Sequence, residues 1–173
     1  MAGRGGLVIE LRLVQPADVG EFLRVSESSG LFRPEELPAV EGMLSAHFAA
    51  GDSSEQTILV SESEGRLTGV VCFTERPFAD RVWELQMIAV AGDLQGRGIG
   101  SQLLRAVECV VRDRGGRLLL IETSDQGRFE RTRSFYRRHG YDEVARIPDY
   151  FSDGEGKVSF VLRIAAAATS VGG

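Results

Sequence analysis

Hydrophobic and polar residues step in the period of a strand at the start of the chain, around Val8, Glu10 and Arg12 in "GLVIELRLV". "QPADVGEFLRVSESS" follows, with Pro16 suited to a first helical turn. In "PEELPAVEGMLSAHFAA" the apolar residues Leu37, Val40, Met43, Leu44 and Phe48 recur at helical spacing, giving an amphipathic helix closed by Gly51. Pro34 and Pro38 leave its start open. From Thr57 the pattern turns β-rich: "TILVSES", "RLTGVVCFTER" and "VWELQMIAV" predict an antiparallel meander, with Glu64 and Gly65 in its first turn. "SQLLRAVECVVRDRGG" then gathers Leu103, Leu104, Val107, Val110 and Val111 on one helical face, and "LLLIE" has the short apolar run of a buried central strand. "FERTRSFYRRHG" predicts a last helix stopped by Gly140, and "YDEVARI" and "KVSFVLRI" two strands across a loop "PDYFSDGEG".

Composition narrows this α+β outline. A chain of 173 residues with 43% hydrophobic content is enough for a single packed core, so one domain over 1–173 is expected, with 1–6 and 165–173 as flexible ends. A formal net charge of −5 supplies no positive field for nucleic acid or an anionic membrane. The arginines of "RTRSFYRRHG" read better as a solvated helix face. Cys72 and Cys109 lie in apolar segments without metal-ligand spacing, so both are expected to be reduced core residues, which favours the cytoplasm. "MAGRGG" lacks the apolar run of a secretory leader, and no stretch approaches the ~20 apolar residues that span a bilayer.

The chemistry concentrates in "LQGRGIGSQLL", Leu94 to Leu104, where Gly96, Gly98 and Gly100 stand between a strand and a helix. Unpaired N–H groups at the positive end of a helix dipole form an anion site, and bare glycines let phosphate oxygens come close. The glycines alone fit a tight strand-to-helix crossover equally well. A nucleoside-triphosphate P-loop is absent, because no Lys-Ser/Thr pair follows the glycines, and the dinucleotide fingerprint fails because its third glycine comes one residue early.

The segment resembles the GNAT superfamily of N-acetyltransferases, whose pyrophosphate signature [QR]-x-x-G-x-[GA] is matched by Gln95, Gly98 and Gly100 in "QGRGIG". The resemblance extends through "LQMIAV", "SQLLRAVECVVRDRG", "LLLIET" and "RSFYRRHGYDEVAR". It covers Leu67 to Ile164 and is confined to a strand–helix–helix outline before that. It implies a mixed, mostly antiparallel sheet flanked by helices, acetyl-CoA as cosubstrate, no metal, and transfer to a primary amine of a small molecule or peptide, with a homodimer left open. In the family the pantetheine arm lies along a splayed strand edge, here Ile88, Ala89 and Val90, which would pair with it as with a peptide strand. Gln95, Gly96, Arg97, Gly98, Ile99, Gly100 and Ser101 would wrap the pyrophosphate, Arg97 adding charge at the 3′-phosphate.

Two catalytic residues follow from the same resemblance. Tyr136, at the family's "FY" tyrosine, would protonate the departing thiolate; its other reading is a seam residue packed beside Phe135. Glu84, on the strand entering the acetyl site, would be the base if its pKa is raised, and otherwise an exposed strand residue, with Glu122 in reserve. A backbone N–H near Met87 or Ile88 would serve the oxyanion. Trp83 and Met87 read as packing residues, His47 and His139 as solvated or capping ones. Asp149, Asp153 and Glu155 could draw a cationic amine to the last hairpin, or be ordinary turn residues. A non-catalytic acyl-CoA-binding module of the same fold remains the alternative, and a nicotinamide or flavin protein the remoter one.

Overall fold

The computed structural model describes residues 9–165, so the expected flexible ends, 1–6 and all but the first residue of 165–173, lie outside the described residues. Strands β1 (Glu10–Leu13), β2 (Gln56–Ser63), β3 (Arg66–Glu75), β4 (Val82–Val90), β5 (Leu118–Ser124), β6 (Asp142–Ser152) and β7 (Glu155–Arg163) form one sheet in the order β1-β2-β3-β4-β5-β7-β6. Helices α1 (Val19–Ser28), α2 (Leu37–Ala50), α3 (Ile99–Asp113) and α4 (Glu130–Arg138) complete the predicted α+β succession. No helix among the described residues is long and apolar enough to cross a membrane. Contact density divides the chain into two compact units, Met1–Thr74 with Met87–Ala106, and Glu75–Gln86 with Val107–Gly173.

In the first unit β1, β2 and β3 pair antiparallel or follow as a meander, and Glu64 and Gly65 turn β2 into β3 at φ 53° and 74°, both left-handed as a two-residue hairpin turn requires. Phe22 and Val25 of α1, Val40 and Leu44 of α2, and Ile58, Val60, Val70, Cys72, Met87 and Ala89 of the strands share one buried cluster. Burying such side chains contributes about 1.5–3 kcal/mol each, which holds the helices on the sheet. Burial also pushes the Cys72 thiol up to about 12, so it stays an uncharged packing residue. Before α1, the Arg12 guanidinium bonds Asp18 Oδ2 at 2.7 Å and Glu62 Oε2 at 2.8 Å, and its hydrogen bond holds the Asp18 carboxyl below its ordinary value. The open start of α2 resolves as a 3₁₀ turn, Pro34–Glu36, running into the α-helix at Leu37.

In the second unit β4 and β5 run parallel, in register from Val82↔Leu118 to Leu85↔Ile121, and β7 lies antiparallel between β5 and β6. Opposed residues share a sheet face and neighbours along a strand alternate. The register therefore puts Glu84, Leu120, Glu122, Val161, Ser159 and Lys157 on one face, and Leu85, Ile121, Phe160 and Val158 on the other. The second face carries the apolar core, with Ile121, Val158 and Phe160 at 0–1% exposure.

Two expectations are corrected. The loop "PDYFSDGEG" is mostly strand: β6 continues to Ser152 and only Asp153 and Gly154 turn. Pro148 and Asp149, at φ 52°, signalled a turn, yet on an edge strand they are absorbed where the β6–β7 register shifts between Ile147 and Ser152. Cys109 is exposed, not core. Leu103, Leu104, Val107 and Val111 carry the buried stripe of α3, and the position two beyond Val107 faces away from it.

Candidate active site

The glycine loop belongs to the first unit. After β4 a short 3₁₀ turn, Gly92–Leu94, leads into Gln95, whose side-chain Nε2 donates to Ser29 O at 2.9 Å and to Val90 O at 3.3 Å. Gln95 thereby ties the loop to the strand end and to the residue after α1. Gly96 and Gly98 have φ 78° and 85°, where an L side chain is strained, and an added Cβ at either would meet open space. Their bareness thus serves the backbone course and the approach from outside, not packing. Gln102 N–H is bonded to Gly98 O at 3.1 Å, the first bond of its kind in α3, so the N–H groups of Ile99 and Gly100 belong to the open end of the helix. Arg97 is exposed, Ile99 buried, and Gly100 and Ser101 half-buried.

On β4, Ala89 is buried while Ile88 and Val90 are half-buried. Their stretch lies beyond Leu85, where the parallel register with β5 ends although β5 continues to Ser124.

The catalytic candidates lie in the second unit, on opposite sheet faces. Glu84 keeps 14% of its side chain exposed and accepts at Oε2 from Arg76 Nη1 at 2.9 Å. Glu122 accepts at Oε1 from Lys157 Nζ at 2.8 Å and from Ser159 Oγ at 3.4 Å. Tyr136 is 4% exposed, and its ring packs on Tyr141 and Phe160 with centroids 5.9 and 5.7 Å apart. Burial pushes its phenol above the ordinary value, so it stays protonated. Tyr141 beside it donates to Glu108 Oε1 at 3.0 Å.

The other expected roles are placed as follows. Trp83 is buried with the Arg114 guanidinium 5.4 Å from its ring centre, and Met87 lies in the first unit's cluster. His47 Nδ1 contacts Ser54 Oγ and His139 Nδ1 contacts Phe135 O, each at 2.8 Å, as helix-end residues. Asp149 Oδ1, on β6, accepts from Gly154 N–H of the hairpin turn at 2.7 Å. Arg76, Arg133 and Lys157 were not anticipated. Arg133, buried on α4, donates to Ser124 O at 2.6 Å and Gln126 O at 3.0 Å, fixing the helix of Tyr136 to the end of β5. The signal for Lys157 was its alternation with Val158, Ser159 and Phe160, which marks a polar face.

The model of the acetyltransferase (GNAT) family matches residues 23–141, more than half the chain and parts of both units. An acetyltransferase of the GNAT family from Desulfovibrio desulfuricans is 31% identical, with TM-score 0.87, covering 91% of this chain and 100% of that one. A structure from Salmonella typhimurium with its cofactor acetyl-CoA has TM-score 0.70 at 18% identity, over 93% of this chain and 96% of that one, and shows the fold alone. N-alpha-acetyltransferase 30 of Schizosaccharomyces pombe is 28% identical over 78 residues, 45% of this chain and 51% of that protein. The match thus spans about half the length of that relative. The chain belongs to the acetyltransferase (GNAT) family.

Proposed function

We propose that residues 1–173 act as one domain that transfers the acetyl group of acetyl-CoA directly to a primary amine in a ternary complex. The observation that carries this reading is the end of the β4–β5 register at Leu85↔Ile121, which leaves the edge of Ile88, Ala89 and Val90 to pair with the pantetheine amides, immediately before a glycine loop at a helix start. Gln95 shapes that loop, the backbone of Gly96 to Ser101 takes the pyrophosphate, and Arg97 reaches the 3′-phosphate. The free cysteines Cys72 and Cys109 fit a cytoplasmic enzyme.

The neutral amine attacks the thioester carbon, forming a C–N bond, and the oxyanion takes a hydrogen bond from backbone N–H near Met87 or Ile88. Collapse breaks the C–S bond. The ammonium proton goes to Glu84, directly or through water, once its carboxylate exchanges Arg76 for the substrate. Tyr136 approaches from the opposite face and donates to the leaving sulfur. The burial that raises its phenol also weakens it as an acid, so its larger contribution is the hydrogen bond given to the developing thiolate. For the acceptor, the α-amine of a peptide is favoured by the name of the Schizosaccharomyces pombe relative.

Amine-dependent release of CoA thiol tests the reading: release only with acetyl-CoA and amine together supports it, and release independent of amine contradicts it. Within that assay Glu84→Gln should lower kcat by about 10², with acetyl-CoA affinity barely altered. An unchanged rate would remove the base role from Glu84, and a loss in Glu122→Gln instead would transfer it.

A further inference from the structure

A charged side chain is buried on the sheet face that carries Glu84 and Glu122. Lys157 keeps 9% of its side chain exposed, with Nζ 2.8 Å from Glu122 Oε1 and 3.8 Å from the centre of the Tyr150 ring. Ser159 Oγ approaches the same carboxylate oxygen at 3.4 Å. A carboxylate on one side and an aromatic face on the other make up the arrangement by which proteins recognise a ligand's ammonium. Here the chain supplies the ammonium itself. Burial opposes the charge, but Glu122 and then Tyr150 outweigh it and hold Lys157 above its ordinary value, so the cage is filled at neutral pH. Glu84, on β4 in the same face, is ion-paired with Arg76. A second ammonium on an acceptor therefore meets Glu122 already paired.

We propose that Lys157 is an internal ammonium that plugs a cation subsite formed by Glu122 and Tyr150, so that the enzyme accepts amines carrying one ammonium and discriminates against diamines and polyamines. This rests on the proposed function, and it names the feature that sets the acceptor class. It follows that emptying the cage should create a diamine site. Lys157→Ala removes both the charge and the volume, freeing the carboxylate and the ring face together. Lys157→Met fills nearly the same space without charge and keeps the cage closed.

Calorimetry of the CoA-loaded protein with butylamine and with putrescine at low salt reads the effect without requiring turnover. The wild type should bind the two within a fewfold of each other. Lys157→Ala should shift the ratio toward putrescine by on the order of tenfold, an advantage that added salt erodes, as for one newly formed ion pair at a half-buried site. Lys157→Met and the double variant Glu122→Gln/Lys157→Ala should return the ratio to that of the wild type. A general loosening would move both amines together, so an unchanged ratio in folded Lys157→Ala overturns the proposal. If that variant does not fold, the wild type decides alone: tenfold preference for putrescine overturns the plug, and indifference supports it. Amine binding without acetyl transfer would contradict the proposed function while leaving this ratio decisive.

Discussion

Gly98→Asp is expected to weaken acetyl-CoA binding severely in a chain that still folds. Gly98 is exposed at φ 85°, ahead of the first residue of α3, and its Cβ position opens to free space, so a side chain there clashes with nothing in the protein. The new carboxylate stands at the positive end of the helix and takes up the field that the pyrophosphate would use, and it repels the phosphates in addition. Affinity should fall by about 10² or more at low salt, the scale of one like charge held a few ångströms from a diphosphate in a partly screened site. Gly98→Asn has nearly the same shape and tolerates left-handed backbone without the charge. It should lose far less, which separates electrostatics from strain. Titration of acetyl-CoA into each folded variant gives the comparison, and equal affinity in Gly98→Asp and the parent would remove the phosphates from this loop.

Tyr136→Phe should lower kcat by about 10²–10³, the effect of removing one donor aimed at developing charge. The ring keeps its contacts with Tyr141 and Phe160, so stability and acetyl-CoA affinity should hold. Because burial raises the phenol above 10.0, it remains a donor as pH rises through the ordinary tyrosine range. Ionisation of Tyr136 therefore adds no alkaline fall in the parent rate within that range. The loss should shrink with an acyl donor whose thiol has a low pKa, since such a thiolate needs less stabilisation. A parent rate with acetyl-CoA in Tyr136→Phe would reduce this side chain to packing.

Local pattern made much of this arrangement legible. Of the apolar face read on α3, Leu103, Leu104, Val107 and Val111 are buried and Val110 half-buried, and "LLLIE" is an interior strand between β4 and β7. The glycine signature was visible because its geometry is local: two left-handed residues before a helix need glycine wherever they occur. Most of what escaped depends on the rest of the fold. Cys109 lies in an apolar run, but the helical spacing that buries Val107 and Val111 turns it outward, so its apolar neighbours misled where the period did not. Pro148 and Asp149 carry turn chemistry that an edge strand tolerates. The partners of Glu84 and Glu122 come from sheet register and a hairpin, so the sequence named the carboxylates and left Arg76 and Lys157 unseen. Likewise, α4 resembled a solvated arginine face, yet its Arg133 is buried against the carbonyls after β5.

The most direct measurement follows both products of one reaction. The chain is incubated with acetyl-CoA and a peptide bearing a free N-terminus or a simple monoamine, and thiol is quantified alongside acetylated amine by mass spectrometry. Direct transfer predicts equal amounts of the two, no thiol without amine, and a parallel fall of both in Tyr136→Phe. Thiol released without an acetylated amine, or acetyl-CoA bound and left intact across the amine panel, would contradict it.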